Sequence, residues 1–148
     1  MDDVDKEILK LLQENYRISY QELSRKIGKA ASTIHNRVQG MLKEGIIIEF
    51  DTIIDPFKVG FGAIAVLGIS VDPSRIRDIA KKIASFKQVQ LVATSTGDHD
   101  LIVRIIEKDE KFLWRFIKNK IKTIEGVKPE MDVSSFIDIY KMTHKIEL

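Results

Sequence analysis

A chain of 148 residues with 24 Lys and Arg against 22 Asp and Glu carries a net charge of only +2, so any affinity for a polyanion must come from a local patch. It has no cysteine, which excludes disulfides, thiolate metal sites and thiol catalysis. Its 44% hydrophobic content suits one large core or two small ones, no apolar run nears the ~20 residues of a membrane span, and no secretory pattern opens it, so a cytoplasmic protein is expected.

The first expected helix runs from about Asp3 to Asn15, with Val4, Ile8, Leu11 and Leu12 inward. Asp2, Asp3 or Asp5 can cap it, and acidic side chains suit the positive end of a helix. Tyr16 is expected to seal this helix against the next. From Tyr20 to Ile48 the chain reads YQELSRKIGKAASTIHNRVQGMLKEGIII. That is a short helix with Leu23 and Ile27 inward, a turn at Gly28, a longer helix ended by Gly45, and the start of a β-wing. The pattern is a winged helix-turn-helix, and it makes double-stranded DNA the expected partner. Between Leu23 and Lys43 there is no acidic residue, but Arg25, Lys26, Lys29, Arg37 and Lys43 are basic, as a surface lying against phosphates requires.

In the longer helix Ile34, Val38, Met41 and Leu42 form one apolar stripe. At about 100° per residue the opposite face carries Ser32, Thr33, Asn36, Gln39 and Lys43. Asn or Gln can bond an adenine edge in bidentate fashion, and Lys can reach guanine or phosphate. Arg37 lies on the flank, suited to a phosphate or to anchoring the helix. With Lys29 at the turn, these residues (Ser32, Thr33, Asn36, Arg37, Gln39 and Lys43) are the candidate DNA contacts. A merely solvated face would look alike; the preceding short helix and the two glycines favour DNA.

Ile46 to Ile54 reads as a β-ribbon, interrupted by Asp55-Pro56, with residues 57–60 as a hinge. The expected domains are therefore 1–48 for DNA binding, 49–60 for ribbon and hinge, and 61–148 for oligomerisation and sensing. The second half reads βαββαβ. A strand spans 61–71. A helix opens at Asp72-Pro73-Ser74, with Ile76, Ile79, Ala80 and Ile83 inward. Strands at 88–95 and 100–106 flank the turn Thr96-Gly97-Asp98-His99. A helix opens at Asp109 with Phe112, Leu113, Phe116, Ile117 and Ile121 inward, and a last strand covers 130–140. This order predicts a ferredoxin-like α+β sandwich with both helices on one sheet face. The lysines at 108, 111, 118, 120 and 122 read as a solvated face, or more sharply as a DNA-wrapping surface. Trp114 reads as core edge or subunit contact.

The first strand is apolar on both faces, with Ile64 and Val66 opposite Phe61, Ala63, Ala65, Leu67 and Ile69. A sheet covered by helices on one side should show a polar second face, so a partner sheet is expected to cover it. A homodimer would present two helix-turn-helix units to a pseudo-palindromic site.

The whole chain resembles the Lrp/AsnC, or feast/famine, transcription regulators. The resemblance rests on an ordered set of segments: residues 5–12 (DKEILKLL), Arg17-Ile18-Ser19, Glu22-Leu23, Gly28, Ser32-Thr33-Ile34 with Arg37-Val38, Glu44-Gly45-Ile46-Ile47 and Asp55-Pro56. Residues Thr96 to Asp100 are similar to the family's Gly-Asp-aromatic-Asp turn. The resemblance implies dimers that assemble into tetramers or octamers, and free amino acids bound between sensor domains as effectors. The candidate effector residues are Gly97, Asp98 and Asp100, with Ser134 and Ser135 on the last strand: carboxylates suit an ammonium, and N–H or hydroxyl donors suit a carboxylate. An ordinary hairpin turn is the alternative.

Two departures stand out. Where the family places Ser-Pro before the recognition helix, this chain has Ala30-Ala31, so Ser32 is the candidate cap of a later start; a lost N-cap hydroxyl costs about 1 kcal/mol. The family favours basic residues where Gln39 and Gly40 stand. Gly40 reads either as close helix packing or as close approach of backbone to DNA, and both departures imply weaker DNA affinity.

No catalytic pattern, metal site or cofactor is expected. His35, His99 and His144 are far apart, and neighbouring residues of Asp98-His99-Asp100 would point to opposite strand faces. The alternatives are an architectural DNA-organising protein without effector and, as an enzyme, a tetrapyrrole decarboxylase of similar architecture.

Overall fold

α1 (Asp3–Glu14) closes its own first turn. The Asp2 carboxylate accepts from the Asp5 N–H at 2.9 Å, and Asp5 returns the bond to the Asp2 N–H at 2.9 Å. α2 (Tyr20–Ile27) repeats the device with Ser19 and Glu22. Gly28 then adopts φ 73°, a left-handed turn that residues with a Cβ rarely take, and this sets α3 (Ala31–Lys43) across α2. α3 ends in a Schellman motif, with the Ile46 N–H on the Met41 carbonyl at 2.9 Å and the Gly45 N–H on that of Leu42 at 3.1 Å. Ile8, Leu12, Leu23, Ile34, Val38, Met41 and Ile47 form the core among the three helices.

This computed structural model describes residues 1–148, and the chain divides into two units. The first is Met1–Ile53 together with Met142–Leu148; the second is Ile54–Lys141. The expected domain 61–148 thus gives up its last residues. The Gln13 side chain bonds both the carbonyl and the N–H of Ile146, at 3.1 and 2.7 Å.

In the second unit, β1 (Ala63–Val71) leads through a 3-10 turn (Pro73–Arg75) into α4 (Ile76–Ala84). β2 (Val89–Thr94) and β3 (Leu101–Glu107) follow. α5 (Glu110–Phe116) runs into a π-helical segment, Ile117–Ile121, and β4 (Val127–Ser135) closes the sheet. The order is β2-β3-β1-β4 with antiparallel neighbours throughout. Ala63, Ala65, Leu67, Ile69 and Val71 of β1 pack with Ile79 and Ile83 of α4, with Leu101, Val103 and Ile105 of β3, and with Leu113, Phe116, Ile117 and Ile121. The α+β sandwich expected from the pattern is the observed fold.

Several expectations fail locally. Residues 46–54 hold no strand, because nothing within the chain pairs with them, and the hinge is one 3-10 turn, Phe57–Val59, begun by Asp55 accepting from the Phe57 N–H. The last strand is Val127–Ser135, not 130–140. It contains Pro129, which an edge strand admits where its register slips, between the pairs Ile69–Met131 and Val71–Val127. Tyr16 does not seal α1; it is partly exposed, and its hydroxyl bonds Thr52 at 3.0 Å. Phe112, expected inward, is also partly exposed. Trp114 is half exposed.

Candidate functional site

The outer face of α3 is open. Ser32, Thr33, Asn36, Gln39 and Lys43 are all exposed, as is Lys29 in the turn before the helix. None of these five side chains makes a hydrogen bond within the chain, so their polar groups are free for an external partner. Ser32 caps nothing: the helix already begins at Ala31, and its N-cap, Ala30, supplies no side-chain acceptor. The first N–H groups of α3 therefore remain unsatisfied by side chains. On one edge of the face, His35 meets Tyr20 edge-on with centroids 5.1 Å apart.

Arg37 on the other edge is already engaged. Its Nη1 bonds both Asp2 oxygens, at 2.8 and 2.7 Å, and Asp5 Oδ1 at 2.8 Å. Of its two expected roles, the geometry realises the anchor: Arg37 ties α3 to the capped end of α1. Hydrogen bonds from Arg37 and the Asp5 N–H hold the Asp2 carboxyl near pKa 2, below its ordinary 3.8. This contribution to stability is complete above about pH 4 and is lost as pH falls through about 2. Asp2→Asn is therefore expected to lower the melting temperature of the helical unit at neutral pH, and the two melting curves should converge as pH drops through about 2. Circular dichroism melts at a series of pH values check this.

The chain does not bring the five effector candidates together. Gly97 and Asp98 lie exposed in the β2–β3 turn, with the Gly97 N–H on Ser95 Oγ at 3.1 Å. Asp100 accepts from the Val71 N–H at 2.8 Å and so helps to hold the end of β1. Ser134 pairs with Val66 and Ser135 with Ala65, so the two serines point to opposite sheet faces, Ser135 toward the helix side.

Two residues outside that set build on the open sheet face. The Nε2–H of His99 donates to Asp132 Oδ2 at 2.8 Å, joining the turn to β4. The ring lies over Gly68 of β1, where any Cβ would overlap it. The His99 Nδ1 is buried without a hydrogen-bond partner. Spacing could not reveal this trio, since it is assembled by the β1–β3 and β1–β4 registers. Around it the same face carries Val66, Ile102, Ile106 and Leu91, partly or largely exposed.

Comparison with known proteins agrees with both units. Residues 1–48 match the family model of a winged helix-turn-helix DNA-binding domain, and residues 64–145 match that of the Lrp/AsnC ligand binding domain. An HTH-type transcriptional regulator of Pyrococcus furiosus is 40% identical over 128 residues, 86% of either chain. The structure of AsnC from E. coli superposes with a TM-score of 0.84 at 25% identity, covering 96% of this chain and 95% of that one. A transcriptional regulator of Neisseria meningitidis, solved as a complex with L-methionine, shares the fold: TM-score 0.86 at 23% identity, covering 99% and 96%. No helix here is long and apolar enough to cross a membrane.

Proposed function

Since the chain belongs to the Lrp/AsnC family of transcription regulators, we propose that it binds a specific DNA sequence as a homodimer and that a small amino-acid effector modulates the binding. The observation that carries the DNA reading is the outer face of α3, where hydroxyl, amide and ammonium groups stand free on a rigid, doubly anchored helix. Presented to a major groove, Asn36 and Gln39 would read base edges, while Lys29 and Lys43 would meet phosphate or guanine.

The homodimer is supported by the open sheet face. A second copy laid sheet to sheet would remove Val66, Ile102, Ile106 and Leu91 from water and enclose the unpartnered Nδ1 of His99. Ile46, Ile48, Phe50, Ile53 and Ile54 are exposed apolar side chains in a segment without a strand, and they too suit burial in a two-fold assembly. The effector reading is supported by the ligand-binding family of the second unit and by the exposed turn at Gly97 and Asp98. The Neisseria protein of the same fold was solved with L-methionine, and a ligand of that class is the one proposed here. Ligand seated between sensor units would favour one assembly, and with it one spacing of the two α3 helices.

A gel shift on the DNA upstream of the protein's own coding sequence, at two salt concentrations with and without the twenty amino acids, tests this. A discrete, competitor-resistant band that the mixture alters is expected, and Asp98→Ala should abolish that alteration while leaving the melting temperature unchanged. An Asp98→Ala protein that still responds would remove the turn from the effector site. A diffuse, salt-sensitive smear would favour the architectural alternative.

A further inference from the structure

Gly40 is the only glycine inside α3, and nothing in this protein calls for it. It is not among the glycines with positive φ, so it serves no turn. A Cβ built on it meets no atom within 4 Å, so no neighbouring helix needs the space. Packing, one of its two sequence readings, is thereby removed. Glycine is nevertheless among the weakest helix formers, and an alanine here would strengthen the helix. A residue that weakens its own element without serving the fold points to something outside the chain.

The position identifies what that is. Thr33, Asn36, Gly40 and Lys43 stand at i, i+3, i+7 and i+10, one line along the helix surface, and the three side chains flanking Gly40 are exposed. The missing side chain is thus a notch in the middle of the face that carries the free polar groups. We propose that Gly40 admits one wall of the DNA groove, the sugar–phosphate edge of a strand, against the backbone of α3. The helix then sits deeper than a side chain would allow, and the Asn36 amide reaches the base edges. This rests on the DNA reading above and adds the depth of docking to it.

The experiment compares wild type with Gly40→Ala and Gly40→Leu, both strong helix formers, on the duplex that wild type shifts. Both variants should melt higher than wild type, by roughly 4 °C or more for a unit of this size. Both should bind DNA more weakly, Gly40→Ala by about tenfold and Gly40→Leu by more, as a graded steric exclusion requires. Variants that melt higher and bind as tightly as wild type would overturn the proposal, as would equal losses for Ala and Leu. A wild-type protein that shifts no duplex would overturn the DNA reading itself, a result distinct from either.

Discussion

Ile102→Lys is expected to leave each chain folded but monomeric, and to weaken DNA binding by about 10²–10⁴-fold, the usual gain from linking two sites. Ile102 lies in β3 between Gly68 of β1 and Ala93 of β2, in the middle of the open sheet face. In a single chain the introduced ammonium would reach water from this face, so the core on the other side, with Leu101, Val103 and Ile105, is untouched. In a sheet-to-sheet dimer two such charges would face one another across the interface, on a face that already carries Arg104, and a buried charge left without a partner costs several kcal/mol. Sedimentation would show the halved mass, and a titration with duplex DNA the lost affinity. A variant that remains dimeric and binds normally would place the subunit contact elsewhere.

The second large effect belongs to the helical core. Ile34 is fully buried between α3 and its neighbours. Ile34→Ala removes three carbons and leaves a cavity, a loss of about 2–5 kcal/mol. A small helical unit has little stability to spare, so most of it should unfold. DNA binding should vanish with α3, although Ile34 touches no DNA in this reading. The sheet unit has a separate core and should keep its own melting transition. Differential scanning calorimetry would show one transition lost or lowered and the other unmoved; an unchanged first transition would contradict the packing described here.

Both units were legible where one element's periodicity decides the outcome. The stripe Ile34, Val38, Met41 predicts α3 and its buried side, and the same helical arithmetic places Asn36 and Gln39 outward. The alternation along β1 predicts its helix-covered side, whereas on the other side only Val66 is a partly exposed apolar residue, Ile64 being fully buried within the chain. Legibility failed where a second element decides. Residues 46–54 have the composition of a ribbon but no strand partner within the chain. The last strand begins before the expected residue 130 because β4 is an edge strand, which admits Pro129. Arg37 looks free until α1 brings Asp2 and Asp5 against it, and Asp100 looks like a ligand donor until the end of β1 supplies the Val71 N–H. The stack of His99 on Gly68 depends on three strands at once. Gly40 is the reverse case: its sequence readings stayed open, and the empty space around it removes close packing within the chain.

We propose sequence-specific recognition by a two-fold protein through the outer face of α3. Selection of bound duplexes from a random pool tests it most directly, because no target need be known beforehand. The expected result is an enriched inverted repeat whose half-sites lie about one helical turn apart, with Gln39→Ala relaxing the same position in each half. A pool that binds but yields no common sequence, or a repeat that Gln39→Ala and Asn36→Ala both leave unchanged, would contradict it.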